Sequence, residues 1–412
     1  MSATRKARFF DRSTPPHMIT LVMMAGLSAI PMNMFLPSLP NMAEYFQTDY
    51  AVMQLSLTLY LAINAITQII IGPIADQYGR RPVVIGGYVI FIFASLGTII
   101  APNIYWFLVF RMMQTAMVVG MVLSRAVVRD LYDQAKAASM IGYVTMGMSV
   151  VPMIAPTIGG QLDSLFGWKA IFAFMMAFAL IGFIIIYYDM GETNPDQQGM
   201  RLRDQMRDYP ELLRSVRFWG YALTNMFSAG CFFTYLGGAP LVGKDIFGLD
   251  PATLGYYFGA PAVGYFVGNF ISGRFSARIG IQRMILTGAS LQALGMLLLL
   301  LLFAIGVQSV LVFFAFCIFI GLGNGLIIPN GTSGMLSARP KQAGAASGLG
   351  GGVMLAGGAC LSQLAGWSQS GAETAMPLIS LLLFSAILGL LSTFAVLWRE
   401  YHFTQKDLQG DL

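Results

Sequence analysis

One charge is placed where charges are expensive. Arg111 lies inside an apolar run, 104–127, that is long enough to cross a bilayer. A guanidinium there costs at least about 2.5–3.5 kcal/mol on insertion scales. It must therefore face a cavity, a carbonyl or an anion. At the helical rise it lies roughly 10 Å from the outer face, and Asn33, in "MNMFLP", lies roughly 7–8 Å deep on the first apolar run. Together they suit a neutral, zwitterionic or anionic substrate group: Arg111 can bind a carboxylate or polar oxygens and Asn33 can hydrogen-bond. The alternative is that both residues only hold helices together.

A second group is gathered in "GPIADQYGRR", residues 72–81. Asp76 can accept charge-assisted bonds from arginines or from a helix N-terminus of the other half, and so act as a latch. Arg80 and Arg81 fix topology, and Gly72 and Gly79 permit a tight turn or close helix approach. Arg125, Arg129 and Asp130 form a third group, readable as an inner gate, a protonation site or a helix end anchored at headgroups. Tyr60, Asn64, Gln114, Asn225, Tyr235, Tyr257, Tyr265, Asn269 and Asn324 are polar or amphipathic residues within apolar runs, and some of them must line a cavity. Pro152 and Pro156, followed by Gly159 and Gly160, should bend one helix and let a neighbour approach.

Other chemistries are excluded. None of the 19 acidic residues falls inside an apolar run, Asp130 coming nearest, and the two histidines, His17 and His402, lie at opposite ends of the chain. No titratable constellation is within reach of a bilayer-embedded substrate, so an enzyme is not expected. Cys231, Cys317 and Cys360 fall in three different runs, so neither a disulfide framework nor a metal site is expected. The glycine-rich stretches "GLGNGLIIPNGTSG" and "GAASGLGGGVMLAGGA" lack the lysine and Ser/Thr of a P-loop. They fit close helix packing, and no cofactor is expected.

These residues sit on a chain of 412 residues, 56% hydrophobic and only 10% charged; soluble domains carry about 25% charged residues. Twelve apolar stretches follow one another, from 18–38 to 375–398, which predicts an all-α polytopic membrane protein with twelve transmembrane helices. The net charge of +5 does not indicate nucleic acid. With the N-terminus inside, every Lys and Arg except Arg111, Lys169 and Lys244 falls on the cytoplasmic side. Both termini are then cytoplasmic. The first run lacks a small-residue cleavage site and reads as retained.

The longest polar segment, 189–217, reads as a cytoplasmic linker between an N-terminal six-helix half, 1–188, and a C-terminal half with a cytoplasmic tail, 218–412. The halves echo each other. Gly273 and Gly280 in "GRFSARIGIQR" repeat Gly72 and Gly79 at the same place in the second half, with Ala277 where Asp76 would be. Parallel repeats with a site between them are a transporter architecture.

On these motifs the chain resembles the major facilitator superfamily. "GPIADQYGRR" matches its signature between the second and third helices. "LVFRMMQT" resembles its helix-four motif, with Arg111 and Gln114 in register and Thr115 in place of a glycine. "VVPMIAPTIGG" resembles the antiporter motif of helix five through Pro156, Gly159 and Gly160, with Val151 and Ala155 at glycine positions. "MNMFLPSLP" and "SRAVVRDLY" resemble the Bcr/CflA drug-resistance subfamily. The resemblance implies two six-helix halves that rock around a central site, in a bacterial inner membrane, as a monomer. It implies a secondary transporter that exports drugs or small amphipathic metabolites, with protons as one candidate coupling ion. Antiporters of that subfamily carry an aspartate in helix one, where this chain has Asn33. The alternatives are a facilitator or importer of a small neutral or anionic metabolite, such as a nucleoside or organic acid, and a non-transporting sensor built on the same fold.

Overall fold

The computed structural model describes residues 7–132, 134–193, 209–338 and 343–410. Of the expected linker, residues 194–208 lie outside the described residues, as do Arg5, Lys6, Arg201, Arg203, Arg207, Arg339 and Lys341 of the expected basic face. The described chain is all helical. We number its long segments α1 (Met18–Tyr45), α2 (Tyr50–Tyr78), α3 (Arg80–Ile100), α4 (Ile104–Leu131), α5 (Gln134–Phe166) and α6 (Lys169–Asp189). Then follow α7 (Val216–Ile246), α8 (Pro251–Phe258 and Ala260–Ile279), α9 (Ile281–Ala304), α10 (Val310–Ala338), α11 (Ala343–Gln369) and α12 (Met376–Gly410). Among the described residues, 10 of these helices, all but α5 and α8, are long and apolar enough to cross a membrane. The twelve segments expected from hydropathy correspond to these twelve helices.

Local chemistry sets the boundaries. The Asn103 side chain accepts from the Trp106 N–H and starts α4. Asp250 caps α8, accepting from the Thr253 hydroxyl at 2.7 Å and from the Ala252 and Thr253 amides. These bonds, that from the Thr253 hydroxyl foremost, hold its carboxyl below the ordinary carboxylate range. Pro31 sits inside α1, and two residues further the helix gives way to a 3₁₀ turn at Leu36–Ser38 before resuming. α5 continues beyond its expected end at 160, because no breaker intervenes before Gly167, which ends it at φ +81°. Asp163 is therefore a helical and largely buried residue, accepting from Asn41 Nδ2 at 3.1 Å. It stands beyond the apolar run expected for this helix, 138–160.

The sequence echo is also a backbone echo. Gly79, between α2 and α3, has φ +96° and ψ 151°, and Gly280, between α8 and α9, has φ +91° and ψ 145°. Only glycine adopts such a turn without strain. Gly72 is neither in a turn nor in a close contact among the described residues, since an added Cβ would meet nothing within 4 Å. The turn expected of this pair is made by Gly79 alone.

The chain forms two compact units. The first comprises Met1–Asp204 and Leu249–Gly259, the second Gln205–Gly248 and Ala260–Leu412. In the first, α5 packs on α1 and on the opening turns of α8. A Cβ on Gly159 would lie 1.7 Å from the Met34 carbonyl oxygen, and one on Gly160 would lie 2.0 Å from that of Pro251. These two positions must be glycine because backbone, not side chain, fills the space. In the second unit α7 is buried against α10, α11 and α12, with Gly237 against the Ser362 carbonyl.

Candidate functional site

Arg111 is fully buried in the first unit. It lies in the last turn of the regular part of α4, just before the chain tightens into a 3₁₀ turn at Gln114–Met117. One guanidinium nitrogen donates to Gln114 Oε1 at 2.7 Å and another to the Pro31 carbonyl. That carbonyl belongs to the last turn before α1 breaks, where helical carbonyls lose their intrahelical partners. Phe35 and Tyr60 sandwich the guanidinium, each ring centroid 4.3 Å away. Gln114 Nε2 donates onward to Ser95 Oγ at 2.9 Å, and Ser95 Oγ donates to the Phe91 carbonyl at 2.8 Å. Four helices, α1 to α4, thus converge on one cation. No carboxylate among the described residues is paired with it. Arg111 Nε and the Tyr60 hydroxyl are buried with no hydrogen-bond partner.

Asn33 is buried two residues from Pro31, but its Nδ2 donates to its own helix, to the Ala29 carbonyl at 2.9 Å. Asn64, on α2, accepts from Gln68 Nε2 at 2.9 Å. Neither touches Arg111 through a bond the structure records. Tyr257 lies in the opening turns of α8 and is half-buried.

The second group of residues assembles where α2, α3, α4 and α6 end. Arg80 pairs with Asp76 at 2.5 Å and with Asp130 at 3.1 Å. The two acidic clusters separated in the sequence are therefore one, with Arg80 as the bridge. Glu192 completes it: its two carboxylate oxygens accept from the Arg80 and Arg81 amides at 2.9 and 3.1 Å, capping α3. A Cβ on Gly79 would lie 2.5 Å from Glu192 Oε2. Arg81 turns away, donating to the Met190 and Tyr187 carbonyls and lying 5.2 Å over the Tyr187 ring. It thereby holds the end of α6. Arg129 is exposed, and Arg125 makes a long 3.7 Å contact with Met148 Sδ.

The second unit has a neutral counterpart to the Arg111 cluster. Ser228 Oγ on α7 donates to Asn324 Oδ1 on α10 at 2.6 Å. Gln292 Nε2 on α9 lies 3.3 Å from the Ser228 and Ile320 carbonyls. The helices involved are the first, third and fourth of the half; the second helix, which supplies Tyr60 in the first unit, takes no part in these bonds. Asn225 Nδ2 donates to Thr332 Oγ1 at 3.3 Å, and its Oδ1 is buried without a partner. Tyr235 is fully buried, edge-on to Phe314 at 6.4 Å. Asn269 donates back to the Tyr265 carbonyl.

A model of the Major Facilitator Superfamily matches residues 21–363. The chain belongs to this superfamily. An uncharacterized MFS-type transporter of Bacillus subtilis, YdgK, is 30% identical over 383 residues, 91% of this chain and 94% of its own. A bicyclomycin resistance protein homolog of Haemophilus influenzae is 27% identical, over 90% of this chain and 93% of its own. A bacterial homolog of the human lysosomal transporter Spinster, solved inward-facing and occupied, superposes with TM-score 0.71 at 15% identity, covering 94% of this chain and 97% of its own. At that identity the last likeness speaks for the fold alone. This superfamily is one of membrane transporters, not of enzymes, and several of its members similar to this chain are drug-resistance proteins.

Within this superfamily member, the sequence pattern does not single out Phe35, Ser95, Gln292, Ser228, Asp189 or Glu192. The first four had no signal against a background of many similar residues. Asp189 and Glu192 follow an apolar run in a segment rich in polar residues, and nothing in that segment marks which distant amides they accept from.

Proposed function

We propose that this chain is a secondary active transporter that works by alternating access. In this reading it exports drugs or small amphipathic metabolites from a bacterial cytoplasm across the inner membrane. Both termini are cytoplasmic, the unit of transport is the monomer, and Arg111 favours substrates with a neutral polar, zwitterionic or anionic group. The single observation that supports this preference is the Arg111 environment. Its partners are a carbonyl, an amide and two aromatic rings, all without formal charge. Asn33 stands where an antiporter carboxylate is expected. A buried, uncompensated cation disfavours a lone cationic substrate nearby and attracts oxygen-rich groups.

A proteoliposome assay with fluorescent neutral, anionic and cationic efflux substrates tests the reading. Neutral or anionic compounds should be carried and should be competed by one another. Robust, mutually competitive transport of cationic dyes would remove the preference. The alternative, a facilitator or importer of a neutral or anionic metabolite, is favoured by Asn33, which cannot release a proton. Flux unchanged by an imposed pH jump would decide for it over proton antiport.

A further inference from the structure

We propose that residues 8–12, with the end of α6, form a docking surface for the headgroups of anionic phospholipids. The segment is built, not loose. Asp189, fully buried at the end of α6, accepts from the Phe10 amide at 2.8 Å, the His17 amide at 2.9 Å and the Thr20 hydroxyl at 2.6 Å. Thr14 Oγ1 closes a turn by accepting from the Arg8 amide and donating to the Asp11 carbonyl. The Arg12 carbonyl sits where a Cβ on Gly191 would be, 2.4 Å away. Phe10 is held at φ +63°, a left-handed conformation that a bulky residue rarely adopts.

That conformation displays rings instead of burying them. Phe9 is 43% exposed, Phe10 49% and Tyr188 55%. They form one aromatic group, with Phe9 4.5 Å from Phe10 and Phe10 6.5 Å from Tyr188, centroid to centroid. Arg8 and Arg12 are exposed on either side of the pair. The group lies at the start of α1 and the end of α6, both membrane-crossing helices, so it meets the bilayer where hydrocarbon gives way to headgroups. Aromatic rings are favoured at that depth, and basic side chains beside them reach lipid phosphates. Two phenylalanines turned outward between two arginines thus match an anionic lipid surface in both apolarity and charge. A neutral lipid would answer only the rings, and a free phosphate only the arginines. The proposal rests on the chain crossing the membrane and is independent of substrate and direction.

The experiment titrates phosphatidylglycerol into the purified protein in neutral detergent and follows thermal unfolding. Phosphatidylcholine and inorganic phosphate serve as separate arms. Phosphatidylglycerol should stabilise at the lowest concentration, and the double substitution Arg8→Gln, Arg12→Gln should raise the half-maximal concentration by about fivefold for each arginine lost. Phe9→Ser with Phe10→Ser should also weaken the response with charge unchanged, since Asp189 holds the Phe10 backbone and not its ring. Arg278→Gln with Arg283→Gln removes the same charge from the second unit and should leave the titration unaltered. An equal shift in that control, an equal effect of phosphatidylcholine, or reproduction of the effect by inorganic phosphate would each overturn the proposal.

Discussion

Arg111 is a buried charge held by neutral partners, and that fixes what substitutions there should do. Lysine keeps the charge but has no planar fork to reach both the Pro31 carbonyl and Gln114 Oε1, and it stacks less well between Phe35 and Tyr60. We expect Arg111→Lys to fold with a stability loss of about 1–3 kcal/mol, the cost of one orphaned buried acceptor, and to lose most transport. Denaturant unfolding in detergent, alongside vesicle flux, measures both. Asn33→Asp is the informative converse. It places a titratable carboxylate two residues from the carbonyl that Arg111 holds, and should make flux respond to an imposed pH gradient and admit cationic dyes. Flux as indifferent to pH as that of the parent would show that position 33 does not set coupling. Arg111 was legible in the sequence as the one charge in an apolar run. Its partners were not, because Phe35 is one of 30 phenylalanines and periodicity cannot select the ring that will stack.

The elements are held by backbone contacts that glycine permits and by carboxylates that end helices. Two glycine substitutions should therefore behave oppositely. Gly159→Ala drives a Cβ into the Met34 carbonyl and must push α5 from α1; little folded protein should survive in size-exclusion of the detergent extract. Gly72→Ala meets open space in the interior of α2 and should be neutral or stabilising by about 0.5–1 kcal/mol. A matching loss in both would mean that motif glycines act through flexibility and not through space. Glu192→Ala removes the cap from two amides of α3 and should lower stability by about 1–2 kcal/mol, in the range of lost N-caps. Glu192→Gln, which can still accept from one amide, should lose less. Hydropathy made the twelve helices readable, and the echo of Gly79 in Gly280 marked the places where the backbone makes matching turns. The cap by Glu192 was hidden because a side chain that closes a distant helix leaves no periodic trace in its own segment.

For the molecule as a whole, the question is whether the charged knot at the helix ends and the Arg111 cluster act separately. Arg111 and Asp130 lie on one helix, 19 residues apart in the chain, which at the helical rise is roughly 28 Å. Sites so far apart with no shared partner should be additive. Asp76→Asn keeps a hydrogen-bond acceptor for Arg80 and leaves Asp130 in place as its second carboxylate. The ion pair is partly exposed, so its loss should cost no more than about 1 kcal/mol of stability. Binding of a transported compound, measured by its thermal stabilisation of the purified variant, should stay within about twofold of the parent, well under the tenfold that 1.4 kcal/mol would give. Turnover in proteoliposomes should fall, because a knot that ties the ends of α2, α3 and α4 to the α6 terminus bears on how those helices move, not on what Arg111 holds. A large loss of affinity with normal turnover would place Asp76 in substrate recognition. The double variant with Arg111→Lys supplies the last constraint: additive effects on turnover keep the two clusters independent, and a marked departure from additivity would join them through the body of α4.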